Sequence, residues 1–206
     1  QTHEMRWSKV TAAGDLPVAL IYHAACPVDL RFPRMHIVFG GANSRLPTVD
    51  CLHLLDPQHM EWEKLQPQDD RLAVSGQRAG HTLTCVGATG AILGCVSNTE
   101  ASSLASGSSF MIMFGGYDRD ERTCHNDVFL LQASWSSPTE SNGEGSGVLF
   151  DWRRLGVSGI PPDERLAHSA TLLPFGHDFG GPRLAIIAGV GNGAVFNDVH
   201  MLQVGS

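Results

Sequence analysis

The sequence is poor in lysine. Lys9 and Lys64 are the only two, and the formal net charge is −7. A broad nucleic-acid footprint needs clustered Lys and Arg to displace phosphate counterions, so that class of partner is set aside. No apolar run approaches the roughly 20 residues that cross a bilayer as a helix, so no membrane partner is expected. The opening Gln1-Thr2-His3-Glu4-Met5-Arg6 holds no signal-peptide core. Position 1 is not Met, which reads as a processed chain or an excised fragment.

Chemistry-bearing motifs are also missing. The five cysteines (Cys26, Cys51, Cys85, Cys95, Cys124) are odd in number and form no Cys-x-x-Cys pair. They read as reduced, small hydrophobes, which suits a cytoplasmic or nuclear protein. His-x-x-x-His is absent although histidine occurs ten times. A ligand set of Cys124 and His125 with Asp118 or Asp120 reads instead as a solvated turn. Gly-x-Ser-x-Gly, Gly-x-Gly-x-x-Gly and P-loop patterns are all lacking, so no catalytic residue, metal or cofactor is assigned.

What the chain does have is an internal repeat. Three Trp-centred segments align: Arg6-Trp7-Ser8-Lys9-Val10, Glu61-Trp62-Glu63-Lys64-Leu65 and Asp151-Trp152-Arg153-Arg154-Leu155. A histidine then opens an apolar stretch at His23, His81 and His168. An apolar run closed by glycines follows, at Phe39-Gly40-Gly41, Phe114-Gly115-Gly116 and Gly189-Val190-Gly191. The last element is Asn126-Asp127-Val128 and Asn197-Asp198-Val199, with a degenerate counterpart from Val49 to Leu55.

Trp7 to Trp62 spans 55 residues and Trp62 to Trp152 spans 90, so the longer unit carries insertions. Two Ser-rich polar stretches, 96–109 and 133–147, account for most of the excess. They bury too little apolar area to offset their ordering entropy and read as mobile surface loops. Each unit holds four short strand-like segments punctuated by Gly, Pro, Asn and Asp, and sustained helical periodicity is absent. Four strands per repeated unit is the sequence form of a β-propeller. The units fall at 5–10 (a lone fourth strand), 19–65, 78–155 and 165–204, about three blades' worth of strands. Closed rings need roughly four to eight blades. The remaining blades are therefore expected in the same protein, or in a second copy of this chain.

The paired glycines, the Asn-Asp-Val segments, the Arg-x-x-His patterns at Arg78–His81 and Arg165–His168, and the phased Trp resemble kelch repeats. The first copy departs, with Leu20 in the Arg position, as does the third, where Gly189-Val190-Gly191 replaces a clean pair. Paired glycines permit a sharp turn at positive φ. The Trp offers apolar surface for packing one unit on the next. The recurring Arg and His are expected to hydrogen-bond neighbouring backbone. The resemblance implies a scaffold that binds a protein or peptide, with alternatives of an enzyme acting at a central channel or a structural subunit. It also points to the loops after the paired glycines as the binding face. There the candidates are Arg45, Tyr117, Asp118, Arg119, Asp120, Arg122 and Asn192.

Overall fold

The computed structural model describes residues 5–28, 35–43, 52–65, 77–88, 108–135, 147–173 and 182–204. These residues are all-β, in three sheets and without a helix. No helix among them is long and apolar enough to cross a membrane.

The first sheet contains β1 (Ala13–Gly14), β2 (Ala24–Val28), β3 (Met35–Phe39), β4 (Leu52–Asp56) and β5 (Glu61–Leu65), in the order β1-β5-β4-β3-β2. The second is the meander β6 (Thr82–Ala88), β7 (Ser109–Asp118), β8 (Thr123–Trp135) and β9 (Val148–Arg154). The third has β10 (Ser169–Leu173), β11 (Arg183–Gly191) and β12 (Ala194–Gln203). Every pairing in these meanders is antiparallel; only the short β1–β5 pairing is parallel.

One strand falls short of the sequence reading. Residues 5–10, expected as a fourth strand, form none, and Trp7 is 99% exposed. A strand needs a neighbouring edge, and the free edge of β5 is taken by β1. The insertions also shift: Ser109 already belongs to β7, and β8 runs on to Trp135. The rest of 96–109 and 133–147, save Ser108 and Gly147, lies outside the described residues.

Registers align the three sheets residue by residue. Isolated bridges join Ile21 to Ala42, Ala79 to Tyr117 and Leu166 to Val190. The turn pairs are therefore Gly40–Gly41, Gly115–Gly116 and Ala188–Gly189. Their φ angles agree closely: 65° and 95°, 64° and 99°, 57° and 109°. The pair Ala188–Gly189, not Gly189-Val190-Gly191, is the third counterpart. An alanine holds its first position because the left-handed backbone is strained but allowed there.

Packing joins each sheet to the next. Phe39, Leu52 and Leu54 of the first sheet meet Met111, Met113, Phe129 and Trp152 of the second. The Trp152 ring lies 4.9 Å from that of Phe39, so this Trp does pack one unit on another. Phe110, Ile112, Phe114 and Leu130, from the other side of the second sheet, meet Leu184 and Ile186 of the third. The first strands approach most closely, with β6 between β2 and β10. Backbone bonds run across both junctions. Gly41 N donates to Arg78 O and Gly116 N to Arg165 O, while Ala167 N donates to Gly80 O and Gly80 N to Tyr22 O.

Candidate functional site

The β7–β8 and β11–β12 turns are built locally. Asp118 Oδ1 accepts from Asp120 N at 2.8 Å and Glu121 N at 3.0 Å, and Arg122 closes the turn at φ 55°. Such side-chain mimicry of a backbone turn is why Asp stands there. The other turn is Asn192-Gly193, both at positive φ, the two-residue hairpin that suits the strand twist.

Between these turns lies a cleft of about 470 Å³, lined by Tyr117, Cys124, Leu166, Val190, Asn192 and Val195 among others. Its wall is apolar, with Val195 at 84% exposure. The neighbouring β7–β8 turn carries charges of both signs, Asp118, Arg119, Asp120, Glu121 and Arg122, and Glu164 Oε2 accepts from Asn192 Nδ2 at 3.4 Å. Thus Tyr117 and Asn192, two sequence candidates, are brought together across a junction. Asp118 is buried under its own turn, whereas Arg119, Asp120 and Arg122 are exposed at its tip. Arg45 lies outside the described residues.

Asp118, Glu121 and His125 place ligand-capable atoms within 4.8 Å of one another. Hydrogen bonds to the turn account for the buried Asp118, and burial, with the Arg78 charge second, lowers the His125 pKa. Cys124, weighed in the sequence as a ligand, is not among the three and is buried.

Two ion pairs that the sequence reading missed tie the second and third units internally. Arg78 grips Asp127 with both terminal nitrogens, Nη2 to Oδ2 at 2.7 Å, and Nη1 also donates to Gly115 O at 3.1 Å. Arg165 repeats the arrangement on Asp198 at 2.6 and 2.9 Å, with Ala188 O at 2.9 Å. The expected backbone bonds of these arginines are present, and the carboxylates are added partners. Burial works to raise the Asp127 pKa, but the hydrogen bonds and charge of Arg78 outweigh it and hold it low. Hydrogen bonding from Arg165 likewise holds Asp198 well below the usual carboxylate range. The signal was available: Asp recurs in both Asn-Asp-Val segments. The first copy, with Leu20 for Arg, has Cys51 where the register from Leu52 calls for Asp.

His81 and His168 stack edge-on against Phe39 and Phe114 of the preceding sheets, at 5.3 and 5.2 Å. His168 Nε2 shares a 2.9 Å hydrogen bond with Thr82 Oγ1, whereas neither ring nitrogen of His81 has a partner among the described residues. His23, their counterpart in the first sheet, is exposed.

No family model matches the chain. Acyl-CoA-binding domain-containing protein 5 of Arabidopsis thaliana is 33% identical over 181 residues, covering 71% of this chain and 26% of that protein. Acyl-CoA-binding domain-containing protein 4 of the same plant is 33% identical over 99 residues, covering 48% and 14%. The chain thus spans about a quarter or less of the length of these relatives. Among solved structures, that of YjhT matches 89% of this chain and 42% of its own at 16% identity and a TM-score of 0.40. The RAG complex with one melted and one unmelted RSS matches at 12% identity and a TM-score of 0.32, covering 90% of this chain and 66% of its own.

Proposed function

We propose that the chain is a run of kelch-type propeller blades serving as a protein-interaction scaffold, and that the cleft between the β7–β8 and β11–β12 turns grips a partner peptide. The observation that carries this reading is the cleft itself: an exposed apolar wall of Val190 and Val195 beside Tyr117. Aromatic and apolar anchors in such a recess are the anatomy of a peptide site. Loops held on rigid strands commonly carry binding. The partner segment this chemistry favours presents an apolar anchor side chain to the cleft. The convergence of the first strands and the recurring glycine turns support the blade reading.

Panning a random peptide library against the chain tests the proposal. Enriched peptides should share an apolar anchor, and Val195→Asp or Tyr117→Ala should weaken them at least tenfold. Val195 stands on the surface, so Val195→Asp should change stability by no more than about 0.5 kcal/mol, while Tyr117→Ala, at a half-buried site, should cost more. Enrichment that ignores both substitutions overturns the reading. Acyl-CoA binding, which the names of the two plant relatives carry, is a second reading that rests on the 33% identity. Saturable binding of a fluorescent acyl-CoA, abolished by Val195→Asp, would replace the peptide reading with it.

A further inference from the structure

Two thiols meet at the junction between the first and second sheets. Along β2 the alternation buries Ala24, Cys26 and Val28 in the cluster that the two sheets share. Along β6, Leu83 and Cys85 pack on the same cluster, while Thr82 and Val86 turn to the third sheet. The two strands approach with Cα atoms within 8 Å, and the Cys26 thiol hydrogen-bonds that of Cys85. Both are free thiols, Cys26 buried and Cys85 half-buried. Side chains that point at each other across so narrow a gap are what a disulfide requires. The register ties the pair to this junction. Ala24 opposite Phe39, Thr82 opposite Phe114 and Ser169 opposite Ile187 hold one position in the three sheets. The counterparts of Cys26 and Cys85 at the second junction are therefore Thr84 and Leu172, which oxidation cannot join.

We propose that Cys26 and Cys85 form a reversible disulfide that locks the first unit to the second, with a hydroperoxide as the oxidant. Cys85, the sulfur nearer solvent, meets the oxidant first. Its sulfur bonds one peroxide oxygen, the O–O bond breaks, and the departing hydroxide takes the thiol proton as water. Cys85 is then a sulfenic acid. The Cys26 sulfur next bonds the Cys85 sulfur, the S–O bond breaks, and the Cys26 proton leaves with hydroxide as a second water. Two thiols lose two electrons in all, and one peroxide is reduced. Hydrogen bonding with Cys85, with burial second, pushes the Cys26 thiol pKa up, so this sulfur resolves the sulfenic acid and does not meet the oxidant itself. The link closes the chain from 26 to 85 and so restricts the unfolded state.

Treating the full chain with a small excess of hydrogen peroxide, blocking the remaining thiols and mapping peptides without reductant tests this. The expected product links the peptides that hold Cys26 and Cys85, is two hydrogens lighter than the parent, and is undone by dithiothreitol. Its thermal midpoint should rise by about 5 °C or more. In Cys26→Ala the reaction should stop at a sulfenic acid on Cys85, trapped by dimedone, with no rise in the midpoint. Cys85→Ala, at a half-buried site, should keep the fold and leave Cys26 unmodified at the same dose. Peroxide that leaves both thiols free, carries Cys85 to sulfinic acid without a link, or joins either sulfur to another cysteine overturns the proposal. A 26–85 link that leaves the midpoint unchanged, or modification of Cys26 in Cys85→Ala, overturns it equally.

Discussion

The second and third sheets share a design and differ in their surroundings. Both begin with a buried Arg that clamps an Asp and with a His that packs on the preceding sheet. Phe114, Val128 and Leu130 of the second sheet are 2–4% exposed, while their register counterparts Ile187, Val199 and Met201 stand at 37%, 56% and 51%. What a unit's own residues fix is the strand register, the turn and the ion pair. What they do not fix is burial, which comes from the next sheet; among the described residues none packs on the far side of the third. The same difference reaches the ion pairs, for the Asp127 side chain is 11% exposed and that of Asp198 is 36%.

The largest effect expected from that contrast follows loss of the guanidinium. Arg78→Leu leaves a carboxylate enclosed without its partner, and breaking a buried pair in this way costs about 3–5 kcal/mol. Arg165→Leu should cost clearly less, since water reaches Asp198. Urea unfolding of the two variants measures this, and equal losses would show that exposure of the acid does not decide the cost. The first repeat, with Leu20 and Cys51, suggests the rescue: Arg78→Leu combined with Asp127→Cys should recover most of the loss.

A smaller effect separates the glycine turns. A Cβ on Gly115 would come within 2.7 Å of Arg165 O and 3.0 Å of His168 Cε1 at φ 64°. Ala188 has the same backbone and carries its Cβ, because among the described residues no following sheet presents a carbonyl there. Gly115→Ala should therefore cost about 1–3 kcal/mol, from strain plus the clash. Ala188→Gly should change stability by less than about 1 kcal/mol. Thermal unfolding compares them, and a harmless Gly115→Ala would mean that the junction between the second and third sheets is looser than its hydrogen bonds suggest.

These contrasts also mark what was legible in the sequence. The apolar runs before the glycines and the Asn-Asp-Val segments located β7, β8, β11 and β12, because alternation and turn residues act locally. Ala188 was hidden because only its dihedral angles, not its residue type, mark it as a glycine position. The Arg–Asp pairs span 49 and 33 residues, and pairing over such separations depends on sheet register, which a motif does not state. Trp7 misled because its sequence is that of a strand, while the nearest edge, that of β5, is taken by β1. The cleft was half visible: Tyr117 and Asn192 were named, but Leu166 and Val195 join them only through the packing of two sheets.

The gentlest probe of the contrast is pH. Burial, with the charge of Arg78 second, depresses the His81 pKa to about 3, and burial, with Arg165 second, depresses that of His168 to about 4. In the unfolded chain both titrate near 6.5. Above that pH both states are neutral and the full stability is present. As pH falls toward 4 the unfolded chain takes up protons that the folded one refuses, and stability drops by up to about 1.4 kcal/mol per pH unit for each histidine. His53 and His125, also lowered by burial, add to this slope, while His59, raised by Asp56, opposes it. Asp127 enters only further down, since its contribution is kept above the unfolded value near 3.9 and lost below it. Urea midpoints between pH 7.5 and 4.5 should therefore fall less steeply in His81→Phe and His168→Phe than in the parent. His81→Phe should flatten the profile more, because burial depresses the His81 pKa further than that of His168. The reverse order would mean that the surroundings of His168 exclude water better than those of His81.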